Sequence, residues 1–297
     1  VADHPLDVDE FAGLAAEAAE FAIAVADTPF VRRADTHTAD GVVSALLWGD
    51  DAPEVVLLHG AGLNAHTWDA VLLALGRPAL AVDLPGHGHS SWRTDGRYDP
   101  RLLAPAVATA VEQLAPDARL VVGQSLGGLT AVALADLRDD LVAALVLVDA
   151  VPTLAPDAPA RAVPLLDGTA SFATRAEIVD RARALGLGAS RPAVERAVVL
   201  NTVAGPDGRF VWRHHPGRHP ASVRSFGDHA ALWPSLEAFR GPVTVVRARR
   251  GGISDADVTG IERRLPGAHV VTFDTGHNVQ EDDPVALARL VADRLED

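Results

Sequence analysis

The sequence predicts an α/β protein, with a mostly parallel central sheet covered by helices on both faces and a helical cap inserted into it. Three observations predict this. Short apolar runs alternate with stretches of helical spacing over residues 54–150 and again over 242–295, the pattern of strands buried on both faces and joined by crossover helices. The alternation breaks over 151–235, which is richer in Pro, His, Arg and Trp. The chain of 297 residues, 48% hydrophobic and 22% charged, is long enough to bury one large core with an insertion.

The elements follow in order. Phe11, Leu14, Ala18, Phe21 and Val25 recur at steps of three and four and mark one face of an amphipathic helix over 11–27. The segment lacks the basic start of a signal peptide and carries Glu17 and Glu20. Its apolar stripe is expected to dock on the body of the protein. FVRRADTHT and GVVSALLWG, separated by Ala39-Asp40-Gly41, read as an antiparallel hairpin at one sheet edge. EVVLLHG (54–60), ALAV at the start of 79–90, ARLVVGQS, and LVAALVLVDA (141–150) read as buried strands. HTWDAVLLALG (66–76), 100–115 with Pro105 in its first part, and LGGLTAVALADL fill the helices between them. After the break come the strand PVTVVRA (242–248), a helix near 255–264, the strand HVVTFDT (269–275) and a last helix over 283–295. The expected organisation is an N-terminal helix in 1–30, a core of 31–150 and 236–297, and a cap of 151–235.

Composition excludes whole classes of chemistry. A formal net charge of −14 repels phosphate backbones and anionic membrane surfaces, so nucleic acid and membrane are not expected partners. No Cys is present, which removes disulfides and thiolate chemistry, and no Lys, which removes Schiff bases and the phosphate-loop lysine. The expected location is cytoplasmic.

The chemistry concentrates in three places. In VVGQSLGG (121–128) a strand runs into Ser125 and a helix leaves directly after it, the setting of a nucleophile elbow. The flanking residues at two positions either side approach each other there and are Gly123 and Gly127. A serine nucleophile needs a base, and His277 follows the last strand in TFDTGHNVQEDDP, at the carboxyl end where α/β sheets gather their sites. Acyl transfer needs N–H donors for a developing oxyanion. The amides of Ala61, in the loop LLHGAGLN with Gly60, and of Leu126, at the helix start, are the expected pair. His59 is read as a brace for that loop.

HGAG (59–62), DLPGHGHS (83–90), GQSLGG (123–128) and GHNVQEDDP (276–284) together resemble the α/β-hydrolase superfamily in its capped, esterase-like branch, over about 31–297. The resemblance implies a Ser–acid–His triad, an oxyanion hole and a cap shaping the pocket, with no metal and no organic cofactor. It also implies an acid after the strand that follows the cap, but Gly251 stands where that Asp would fall. Asp149, at the end of LVLVD, is the preferred acid, as in some members of the superfamily. Asp255 is the alternative, although Ser254 and Asp257 have the spacing of a capping box.

The cap segment FVWRHHPGRHP (210–220) reads as a polar loop, without the spacing of a metal site in His214, His215 and His219. Gly60, Trp212 and Trp68 are candidate substrate-binding residues, with Trp92 and Trp233 as further ones. The expected activity is hydrolysis of a small carboxylic ester or lactone through an acyl-enzyme. The alternatives are a carbon–carbon hydrolase of a diketone-like substrate and a non-catalytic small-molecule receptor. The N-terminal helix or the cap would offer a face for self-association.

Overall fold

Strand residues alternate between two helical layers, and that period of two organises the molecule. The computed structural model describes residues 8–25, 29–152, 171–219 and 227–296. Parts of the segments read as the N-terminal helix and the cap therefore lie outside the described residues.

Eight strands form the main sheet: β1 (Val31–Thr38), β2 (Gly41–Trp48), β3 (Val55–Leu58), β4 (Ala79–Val82), β5 (Leu120–Gln124), β6 (Ala144–Val148), β10 (Val243–Ala248) and β11 (His269–Phe273). Their order is β1-β2-β4-β3-β5-β6-β10-β11. The hairpin β1–β2 joins β4 antiparallel, and every pairing from β4 onward is parallel.

Val56, Leu58, Val121, Leu145 and Leu147 face one layer, made by α3 (Pro100–Leu114), α4 (Leu126–Leu137), α8 (Trp233–Ala238) and α9 (Asp255–Arg264). Their neighbours Val55, Leu57, Val122, Val146 and Val148 face the other, made by α1 (Leu14–Glu20), α2 (Asp69–Leu75), α10 (Val279–Asp282) and α11 (Pro284–Glu296). A fully buried Leu or Val side chain contributes about 1.5–3 kcal/mol, so both faces hold the sheet.

The N-terminal helix is shorter than its apolar spacing suggests. It ends at Glu20, and Ala22 takes a left-handed φ of 51°. Ala22 N–H donates to Ala19 O at 3.2 Å and Ile23 N–H to Ala18 O at 2.8 Å, the paired bonds of a Schellman stop. Ile23 and Val25 then reach the core through the turn. Leu14 and Ala18 are buried, so the apolar face of this helix is used within the chain.

Between β6 and α8 the described residues form a smaller unit. It contains α5 (Arg175–Ala184), α6 (Arg191–Asn201), α7 (His215–Arg218) and an antiparallel sheet of β7 (Ser171–Phe172), β8 (Thr202–Ala204) and β9 (Phe210–Trp212) in the order β7-β9-β8. The sequence suggested helices alone here, because strands of two and three residues are too short to show a period. Among the described residues no helix is long and apolar enough to cross a membrane.

Candidate active site

Ser125 stands between β5 and α4 with φ 50° and ψ −116°, a strained conformation for a residue with a Cβ. Close packing holds it there. A Cβ on Gly123 would lie 2.5 Å from the Gly127 carbonyl carbon, and one on Gly127 would lie 2.1 Å from Leu58 O. The two glycines let the elbow close on itself and on the end of β3.

The loop after β3 lies beside the elbow. A Cβ on Gly60 would fall 3.3 Å from that of Ser125. Neither the Ala61 nor the Leu126 amide has a hydrogen-bond partner among the described residues. His59 braces this loop from behind and is fully buried. Its Nδ1 lies 2.7 Å from Gly60 O, and its Nε2 accepts from Leu84 N at 3.0 Å. A carbonyl only accepts, so the proton sits on Nδ1. Burial holds the ring below the usual histidine range. Asp83 supports the neighbouring loop by accepting from Ala65 N at 2.7 Å and His89 N at 2.9 Å, and it pairs with Arg33 at 2.8 Å. Burial opposes the Asp83 charge, but Arg33 and these amides hold its pKa down at about 2.

Asp149 follows β6 with a left-handed φ of 43° and a fully buried carboxylate. Oδ1 accepts from Ala248 N at 3.2 Å and Oδ2 from Gly252 N at 2.7 Å. Oδ2 also lies 2.7 Å from His277 Nδ1. A Cβ on Gly251 would fall 2.2 Å from that same oxygen. The glycine found where an acid was expected therefore makes room for an acid supplied from β6.

Asp255 stands apart. Its side chain is 93% exposed and pairs with Arg247 at 2.6 Å. Asp257 completes a capping box with Ser254.

His277 lies on the loop between β11 and α10, with a side chain 44% exposed. Gln124 Nε2 donates to His277 O at 3.3 Å, tying this loop to the residue before Ser125. The ring's hydrogen bond goes to Asp149, and none joins it to Ser125 Oγ among the described residues. Catalytic contacts of this kind are often long before the substrate arrives and tighten around the reacting carbonyl.

Two expected pocket residues belong elsewhere. Trp68 is fully buried in the layer formed by α1, α2 and α11, and Trp212 is buried against Phe172, with ring centroids 5.5 Å apart. Both are packing residues, as is Trp233 in the opposite layer. Trp92 stacks on His215 with centroids 4.8 Å apart.

The expected polar cap loop is also corrected: His214 and His215 are buried. His215 N–H donates to Gly86 O at 2.8 Å, and His214 stacks on His87 at 5.9 Å. Burial pushes His214 down to about 3. Sequence reasoning missed Gln124, Thr67, Asn278 and Glu281 around the His277 loop. A polar residue closing the otherwise apolar strand LVVGQ was the available signal.

The Alpha/beta hydrolase family matches this chain over residues 55–290. Esterase Rv0045c of Mycobacterium tuberculosis (strain ATCC 25618 / H37Rv) is 42% identical over 97% of this chain and 96% of its own length. Lipase LipV of the same organism is 29% identical over 84% of this chain and 95% of its own. The crystal structure of the Mycobacterium tuberculosis esterase Rv0045c superposes with a TM-score of 0.83 at 40% identity, covering 99% of this chain and all (100%) of that one. The thioesterase domain from the curacin biosynthetic pathway shares the fold, with a TM-score of 0.75 at 22% identity over 88% of this chain and 99% of its own.

Proposed function

Since the chain belongs to the Alpha/beta hydrolase family and is an ester-hydrolysing enzyme on that fold, we propose that Ser125, His277 and Asp149 are its nucleophile, base and acid. Ser125 Oγ attacks the ester carbonyl while His277 Nε2 takes its proton. The amides of Ala61 and Leu126 receive the oxyanion, helped by the positive end of α4. His277 returns the proton to the leaving alcohol, and an acyl-enzyme remains. Water then attacks the acyl carbon with His277 as base again, and the bond to Ser125 Oγ breaks as His277 returns the proton to that oxygen, releasing the acid.

Asp149 keeps the Nδ1 proton in place and stabilises the imidazolium. The observation that carries this reading is the contact of 2.7 Å between His277 Nδ1 and a buried carboxylate already fixed by Ala248 N and Gly252 N. The small unit of α5, α6, α7 and the sheet β7-β9-β8 acts as the cap, and the substrate is a small carboxylic ester or lactone.

A panel of esters, lactones and one diketone, assayed with wild type and Ser125→Ala, tests the proposal. Wild type should cleave esters or lactones, the open-chain esters with a burst of the released alcohol, and a fluorophosphonate should label Ser125. Ser125→Ala should lose about 10³-fold or more in kcat. Full activity in the variant ends the proposal, and diketone cleavage without ester cleavage changes the bond.

A further inference from the structure

One carboxylate beside His277 has no part in the reaction just described. Glu281 lies in α10, and both its oxygens accept hydrogen bonds. Oε1 accepts from Thr67 Oγ1 at 2.8 Å and Oε2 from Asn278 Nδ2 at 3.0 Å.

Each donor is itself the end of a chain. Gln280 Nε2 donates to Thr67 Oγ1 at 3.0 Å, which turns the Thr67 proton toward Glu281. Gln124 Nε2 donates to His277 O at 3.3 Å and, at the longer distance of 3.5 Å, to Asn278 Oδ1. The Thr67 and Asn278 protons both point at Glu281, which suits an ionised carboxylate, a group that only accepts.

Burial pushes the Glu281 carboxyl up, and Asp282 adds to this. The Thr67 and Asn278 donors and the positive field of His277 oppose it. Among the described residues Glu281 forms no ion pair.

The chains join three segments. Thr67 sits in the 3-10 turn 65–68 that follows the oxyanion loop. Asn278 is the neighbour of His277, and Gln124 is the neighbour of Ser125. Among the described residues Gln124 Oε1 is buried without a partner, and it fills the space a Cβ on Gly60 would take, at 2.0 Å.

We propose that Glu281 is a positioning residue for ester hydrolysis: by ending both chains it fixes the His277 loop against the strand carrying Ser125 and the turn behind the oxyanion loop. This rests on Ser125 as nucleophile and His277 as base. Its effect is on the geometry between nucleophile and base, so it acts on kcat rather than on substrate binding.

Glu281→Gln keeps the shape but sets one N–H group against another. With a p-nitrophenyl ester, kcat should fall about ten- to a hundredfold while KM stays within about twofold, the size expected for an ångström-scale misplacement. Fluorophosphonate labelling of Ser125 should slow by the same factor. Adding Asn278→Asp to that variant restores an acceptor facing both the introduced amide and Gln124, and should return kcat to within about threefold of wild type.

Wild-type kcat in Glu281→Gln, a loss carried by KM, or a folded double variant without recovery each overturns the proposal. Should Glu281→Gln not fold, Thr67→Val removes one donor and should lower kcat about three- to tenfold at constant KM. Unchanged kcat there overturns it equally. Ser125→Ala separates the layers: an inactive Ser125→Ala beside a fully active Glu281→Gln sinks the positioning role alone.

Discussion

His277 and the row His59–His87–His214 are the same side chain placed in two surroundings around one loop. His277 is 44% exposed, and its Nδ1 meets a buried carboxylate. The row is almost wholly buried, with ring centroids 5.1 Å apart between His59 and His87 and 5.9 Å between His87 and His214. Its Nδ1 atoms meet the neutral groups Gly60 O, Pro85 O and Gly217 N. Burial depresses all three rings.

On the proposed reading of His277, the contrast separates a base from a brace by two features: an anion to receive the imidazolium, and an open face to meet the substrate. His66 shows the remaining combination. It is buried but lies between Asp69 at 2.8 Å and Glu10 at 3.1 Å. Burial opposes its charge, yet these carboxylates raise it to about 9.

The largest effect should come from removing the anion. Asp149→Asn turns the partner of Nδ1 into a group that can donate, which favours the wrong tautomer. Its kcat should fall by about 10³–10⁴-fold in steady-state ester hydrolysis. A loss under about tenfold would erase the distinction between base and brace.

A calorimetric pH series sharpens the comparison next. The row has depressed folded-state values, so its stabilisation is full above about pH 6.5 and is lost as pH falls toward those values, with His214 alone losing on the order of 2 kcal/mol at pH 5. His66 is raised, so its contribution is full below about pH 6.5 and is lost as pH climbs through about 9. His214→Phe should flatten the acid limb and His66→Gln the alkaline one. A single limb shared by both variants would contradict the contrast. The smallest effect belongs to Asp255→Asn. It removes an exposed ion pair with Arg247 and should change stability by less than about 1 kcal/mol and activity not at all.

Most of the fold was legible, because buried strands and helices write their periods into residues such as Val55–Leu58 and Leu126–Leu137. Ser125 and His277 stood out for a related reason: each sits where a strand meets a turn. The carboxylate that meets His277 was harder to read. Gly251 looks like a missing carboxylate until its contact with Asp149 is seen.

Trp68 and Trp212 could not be placed from spacing, since the side a tryptophan faces depends on how distant elements pack. The end of the first helix was hidden as well, because Ala22 stops it through backbone geometry and not through a glycine that sequence would flag. Glu281 was obscured by its acidic neighbours, and only the convergence of donors from Thr67 and Asn278 sets it apart.

The contact between Gly251 and Asp149 has a consequence for redesign. The end of β6 and the turn after β10 compete for one volume, so an acid cannot simply be added at the second location while the first is kept. Gly251→Asp alone would crowd two like charges together, and Asp149→Gly alone would leave the imidazole without a partner. Relocating the carboxylate is thus an all-or-none exchange of two residues, with a defective protein on either route between the endpoints.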